Sequence, residues 1–206
     1  MRYTGPRNRL ARREKTDLGL KTPGSKSHAS MLKRINIDPG QHSTRGRRKV
    51  SEHGKQLREK QKLRYIFGVS EKQLKNYFIG AKKKPGNTGV FLAQFLESRL
   101  DNVIFRLGFA PTRAAARQLV SHNHIKVDGK VVNIASYQVR AGEIVNLKNE
   151  EDAKLPVVAS SLARVDMLTP TWLERKGTVG KIITVPESES IEKQINMRLV
   201  IEFYSR

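Results

Sequence analysis

The sequence predicts an α+β protein: a helical, loop-rich basic N-terminal domain, a small helix-helix-β-hairpin module, and a short β-containing C-terminal segment. Three observations lead there. Capped, amphipathic helical patterns recur between Ser51 and Leu107. An Asp128-Gly129 pair sits between two β-rich runs, the strongest short-range hairpin signal. Leu, Ile, Val and Phe supply 54 of the 206 residues, enough for a core rather than a disordered chain.

Residues 1–50 are punctuated by Gly5-Pro6, Pro23-Gly24 and Pro39-Gly40 and read as irregular, with one short helix at Arg7 to Glu14. A helix is expected from Ser51, a fitting N-cap, to about Phe67, with Gly68 as its stop. Ser70-Glu71-Lys72-Gln73 is a capping-box pattern that opens the next helix, with Leu74, Tyr77 and Phe78 on one face. The basic stretch from Lys82 to Gly89 reads as a turn or linker. One long helix is then predicted from about Val90 to Leu107, on the stripe Leu92, Leu96, Leu100, Val103, Ile104, Leu107. Thr112 caps a shorter helix to about His122, whose inner face is Ala115, Ala116, Leu119 and Val120. The hairpin at 125–132 and an alternating run at 143–147 follow. A polar helix over about 150–165 and strands at 181–185 and 199–204 complete the expectation. The domain bounds that result are 1–96, 97–159 and 160–206.

Charge narrows the function. Forty Lys and Arg against nineteen Asp and Glu leave a net +21. Quarter by quarter the net runs +11, +7, +3 and 0, so the excess is polarised to the front of the chain. A front half laid against phosphates carries such a gradient; an evenly solubilising surface does not. A lipid surface would call for a basic amphipathic helix with a large apolar face, which residues 1–50 lack. No apolar run is long enough to span a bilayer, and Met1-Arg2-Tyr3-Thr4-Gly5-Pro6-Arg7 has no apolar stretch of a secretory signal. The absence of cysteine excludes disulfides, thiol catalysis and cysteine-ligated zinc.

The candidate binding constellation lies around the short helix. Arg113, Arg117, Ser121 and His124 recur at about one helical turn, opposite the alanines. Arg99, Asn102 and Arg106 fall at i, i+3, i+7 on the preceding helix, away from its apolar stripe. Lys126 and Lys130 flank the hairpin turn. Arginine forks grip phosphate bidentately, and an alanine-rich inner face implies packing close enough to hold such a row rigid.

These residues sit in strings that are familiar. Glu97-Ser98-Arg99-Leu100-Asp101-Asn102, the run from Thr112 to His122, and His124-Ile125-Lys126-Val127-Asp128-Gly129 closely resemble the S-four RNA-binding domain. Arg2-Tyr3-Thr4-Gly5-Pro6, Arg12-Arg13-Glu14, Pro39-Gly40-Gln41-His42, the run from Leu57 to Lys62, Pro170-Thr171-Trp172-Leu173 and the ending Ile201 to Arg206 extend the likeness end to end. Together they resemble the bacterial or organellar S-four family of small-subunit ribosomal proteins.

That resemblance implies a primary rRNA-binding protein. It would bind a junction in the 5′ domain of small-subunit rRNA and nucleate assembly of the subunit body. Ribosomal proteins S-five and S-three are the implied neighbours, near the mRNA entry channel, with an influence on translational accuracy. The implied location is the cytoplasm, in the ribosome, of bacterial origin ahead of an organelle. Candidate RNA contacts in the module are Arg99, Asn102, Arg106, Thr112, Arg113, Arg117, Ser121, His122, His124, Lys126 and Lys130. In the front half they are Arg2, Arg7, Arg9, Arg12, Arg13, Arg58, Lys62, Lys82, Lys83 and Lys84. Arg45, Arg47, Arg48 and Lys49 match the mRNA-facing stretch by position.

Many relatives carry a four-cysteine zinc site; its positions here are approximately Asn8, Ala11, Ser25 and Ser30. His28, His42 and His53 are irregularly spaced and offer no ligand pairing, so neither metal nor cofactor is expected. An enzymatic reading has one handle, Arg99-Leu100-Asp101, which matches pseudouridine synthases as letters only. Too little chain follows the hairpin for a catalytic domain, and Asp101 reads as an ion pair or helix-surface group. No small-molecule substrate is expected. The alternative is a stand-alone S-four-domain RNA-binding protein or chaperone, which would not need the basic residues that precede the module.

Overall fold

The computed structural model describes residues 3–41, 50–164, 169–186 and 195–205. The chain folds as two compact units, one of Met1–Leu92 with Glu189–Arg206 and one of Ala93–Ser188.

In the first unit, α1 (Arg7–Glu14) and α2 (Lys26–Lys33) precede the longer α3 (Glu52–Phe67) and α4 (Glu71–Lys82). The caps act as the sequence predicts. Ser51 Oγ accepts from Gly54 N at 3.2 Å, and Gly68 ends α3 in the left-handed region at φ 59°. Ser70 and Gln73 form the reciprocal capping box, at 3.2 and 3.3 Å. Leu63, Ile66 and Phe67 of α3 and Leu74 and Phe78 of α4 are buried.

The predicted strand at 199–204 is instead a helix, α10 (Met197–Ser205), packed along α3. Its β-branched residues suggest a strand, yet Met197 and Val200 recur at helical spacing and are buried. Tyr204 stacks on Phe78 with centroids 5.0 Å apart, and its hydroxyl donates to Glu71 at 2.8 Å. Lys60, buried beneath, donates to Glu71 at 2.9 Å and lies 4.4 Å from the Phe203 ring. Tertiary contact overrides local propensity here.

The second unit places α6 (Leu100–Arg106) and α7 (Arg113–Ser121) against one face of a sheet ordered β2-β1-β3-β5-β4. Its strands are β1 (Ile125–Val127), β2 (Lys130–Val131), β3 (Ile144–Leu147), β4 (Leu173–Lys176) and β5 (Val179–Ile182), every described pairing antiparallel. Asp128 and Gly129 form the predicted turn, with φ 47° and 78°. Ile125, Val127, Val145, Leu147 and Ile182 point inward onto the helices with Trp172. Gly180 permits the close approach: any side chain there would run into Leu107. The β4 strand has no counterpart in the sequence reading, and the predicted strand at 181–185 begins and ends earlier, as β5.

Two predicted helices are broken. The stretch 90–107 is α5 (Thr88–Glu97) followed by α6, separated at Ser98-Arg99. Arg99 is extended (φ −65°, ψ 136°) and bridges to Gln138. Leu100 N donates to Tyr137 O at 2.8 Å and Val139 N to Ser98 O at 2.9 Å, so a distant segment takes over the helix's backbone partners. The stripe nonetheless holds, with all six of its residues fully buried. The stretch 150–165 is two short helices, α8 (Glu150–Ala153) and α9 (Pro156–Leu162), with proline opening the second.

Candidate nucleic-acid interface

Helix α7 starts where Thr112 Oγ1 accepts from Ala115 N at 3.2 Å. Ala116, Leu119 and Val120 bury its inner face, while Ser121 and His122 are exposed. Arg113 and Arg117 lie on a flank rather than fully outward. Arg117 Nε donates to Asp101 Oδ2 at 2.8 Å, and its Nη2 reaches the same oxygen. Arg113 Nε donates to Asn102 Oδ1 at 2.7 Å, and its guanidinium sits 4.5 Å from the Phe105 ring centroid.

Beneath them, Arg99 grips Asp101 with Nε at 3.0 Å and Nη2 at 2.8 Å. Arg106 grips Glu97 in the same bidentate way, at 3.1 and 2.6 Å. Asn102 Nδ2 joins the halves, donating to Glu97 O at 2.9 Å and Glu97 Oε2 at 2.6 Å. Burial works to raise the Glu97 pKa, but the charge and hydrogen bonds of Arg106, with Arg113 and Asn102, outweigh it and hold the carboxyl below its ordinary value. Burial first, and then Arg106 close by, push the Arg113 guanidinium down to about 10, against the pull of Glu97 and Asp101.

The expected exposed row Arg99, Asn102, Arg106 is thereby corrected. Arg99 and Asn102 are buried, and Arg106 is partly buried on Glu97. The helix break turns Arg99 inward, where helical spacing through 98 and 99 would have pointed it out. Thr112 is buried and spent on its cap. Asp101 is the ion pair the sequence allows. Glu97, the buried partner of Arg106, is the group that sequence reasoning did not assign, and with the helix broken at Ser98-Arg99 no helical spacing pointed to it.

The rest of the module's candidates are surface groups. Ser121 donates to Arg117 O at 2.9 Å, and His124 pairs through Nδ1 with Asp152 at 2.9 Å. The His122 and His124 rings lie 6.2 Å apart. Lys126 shares the outward row of the sheet with Val131 and Asn146, and Lys130 is exposed at the hairpin.

In the first unit, Arg9, Arg13, Lys82, Lys83 and Lys84 are exposed. Arg7 and Arg12 serve the local fold: Arg7 donates to Leu20 O at 2.9 Å, and Arg12 to Ile37 O and Asp38 O, both at 2.9 Å. Arg58 holds the buried Glu14 at 3.2 Å, and Lys62 pairs with Glu59 at 2.6 Å. Arg2, Arg45, Arg47, Arg48 and Lys49 lie outside the described residues. At the positions of the relatives' zinc site, Ala11 is buried and Ser25 Oγ caps α2, accepting from His28 N at 3.1 Å. Asn8 and Ser30 complete a set with no thiolate or imidazole, so it does not fit zinc. His28 instead pairs with Asp17 at 2.7 Å.

Comparison with known proteins defines the class first. Residues 98–145, which hold α6, α7 and the hairpin, match the family described as the S4 domain, and residues 2–97 match the Ribosomal protein S4/S9 N-terminal domain. The chain belongs to the family of small ribosomal subunit protein uS4. It is 49% identical to that protein from Phocaeicola vulgatus over 100% of this chain and 99% of the relative. It is 48% identical to that of Bacteroides thetaiotaomicron and 45% to that of Chromobacterium violaceum, at the same coverage. This is a family of structural proteins, not of enzymes. Arg99-Leu100-Asp101 accordingly serves as a buried ion pair. No helix among the described residues is long and apolar enough to cross a membrane.

Proposed function

We propose that this chain is a structural constituent of the small ribosomal subunit and a primary binder of its rRNA. It seats at a junction of the 5′ domain and nucleates assembly of the subunit body. The observation that carries the reading is the α7 flank: two arginines fixed by buried partners, on a helix that ends in exposed Ser121 and His122, in a chain of net +21. Fixed guanidiniums meet a phosphate backbone with little further ordering cost. The neighbours are ribosomal proteins S-five and S-three. The basic run Arg45 to Lys49 faces mRNA at its entry, which ties the protein to translational accuracy. The location is the bacterial cytoplasm, within the ribosome.

The test is co-sedimentation of the tagged full-length chain with small subunits through a high-salt wash. Retention at stoichiometric level is expected. Release into the supernatant would contradict the reading and favour a stand-alone RNA-binding protein or chaperone.

A further inference from the structure

We infer that α10 is a clasp whose docking completes the first unit, so that α3 and α4 stay ordered only while it is seated. The inference is independent of the RNA reading and concerns how the basic front half is held in shape.

The first argument is connectivity. The second unit, Ala93–Ser188, is one continuous stretch, whereas the first takes Met1–Leu92 and then Glu189–Arg206 from beyond it. Side-chain partners of α3 and α4 on α10 lie 146 and 133 residues further along the chain, at Glu202 and Tyr204. Helices α3 and α4 therefore exist in the growing chain long before the element that covers them.

The second argument is the chemistry of the seam. His53, Gln56 and Lys60 recur at helical spacing on α3, a stripe that pattern alone assigns to solvent. In the structure Gln56 and Lys60 are each only 5% exposed. Gln56 Nε2 donates to Glu202 at 3.1 Å, and His53 stacks on Phe203 with centroids 5.5 Å apart. Just ahead of α10, Asn196 N donates to Glu59 Oε2 at 3.1 Å. Gln56 Oε1 is buried with no hydrogen-bond partner among the described residues, a cost that docking carries. Such a seam is at ease in water while α10 is away and gains modestly when it arrives. A wholly apolar seam, left open, would be a patch prone to aggregate.

The third argument is what hangs on the seat. Met197 and Val200 are buried on the inner face of α10. Gly89 shapes the place they occupy: a Cβ there would stand 3.2 Å from Ile201 Cδ1 and 3.7 Å from Met197 Cβ. Tyr204 stacks on Phe78 and donates to Glu71, both on α4, while Phe203 covers Lys60 on α3. One end of α10 thus pins two helices together. Arg58 on α3 in turn holds the buried Glu14 of α1 at 3.2 Å, so the order of α3 also sets how exposed Arg9 and Arg13 are presented.

The test is hydrogen exchange, read amide by amide by NMR, on the full-length protein and two full-length variants. Tyr204→Ala removes the pin to α4. Gly89→Leu leaves every residue of α10 in place and fills its seat. In both, protection of α3, α4 and α10 amides is expected to fall about tenfold or more, while β1, β3 and α7 in the second unit keep the parent's values. If either variant fails to fold, Tyr204→Phe decides: it keeps the ring, loses the bond to Glu71, and should lower protection of the same three helices roughly fivefold or more. A loss confined to α10 would overturn the clasp, because α3 and α4 would then stand without it. Unchanged protection of α3 and α4, or an equal loss in both units, would overturn it as well.

Discussion

Replacing both Arg113 and Arg117 by alanine is expected to cost real stability. Fully exposed helical arginines can be truncated for less than about 0.5 kcal/mol, and sequence spacing alone makes these two look exposed. The structure revises that figure. Arg117 loses a charge-assisted contact to a carboxylate that is 3% exposed, nominally ~1.5–3 kcal/mol. Asp101 keeps Arg99, so it is not stranded, and the lower end applies, about 1–2 kcal/mol. Arg113 loses one hydrogen bond to buried Asn102 and its stacking on Phe105, again about 1–2 kcal/mol. The pair should therefore lower unfolding free energy by roughly 2–4 kcal/mol, with some coupling because the residues are neighbours on one helix. Urea titration followed by circular dichroism measures it, with Lys126→Ala/Lys130→Ala as the surface control within about 0.5 kcal/mol. A double arginine variant as stable as the control would refute the buried-network account and restore a simple solvated row.

Leu119→Ala should cost ~2–5 kcal/mol through a cavity beneath α7 and leave rRNA affinity of the folded fraction near that of the parent, read by paired melts and filter binding. Tyr204→Phe keeps the stacking on Phe78 but loses the bond to Glu71, and should cost about 1–2 kcal/mol in urea titration. Glu97 has a folded pKa below its unfolded value, so it contributes stability that is present above the unfolded carboxyl pKa and is lost as pH falls through the folded one. Unfolding free energy should fall on that acid limb in the parent and fall less steeply in Glu97→Gln, compared by urea titration at stepped pH.

What was legible in the sequence was local. Ser51, Gly68, the Ser70 and Gln73 box, and the Asp128-Gly129 turn act through neighbours a few residues away, and each stands where its pattern puts it. The apolar stripe from Leu92 to Leu107 is buried throughout, as its pattern predicts. What was not legible depends on residues far along the chain. The break at Ser98-Arg99 is made by backbone partners at 135–139, some forty residues later. That single break decides whether Arg99 faces water or Asp101. Residues 199–204 combine β-branched Val200 and Ile201 with aromatic Phe203 and Tyr204, and only their fit against α3 makes them a helix. The candidate site followed the same division. Spacing singled out Arg113, Arg117 and the hairpin lysines as candidates and allowed Asp101 an ion pair, but the hold of Glu97 on Arg106 was visible only in three dimensions.

The proposed function has the α7 flank meet small-subunit rRNA. A density map of the intact small subunit containing this chain tests it most directly. Phosphate oxygens are expected within hydrogen-bond distance of Arg113 or Arg117. A map in which that flank is bare to solvent or covered by another protein would contradict it.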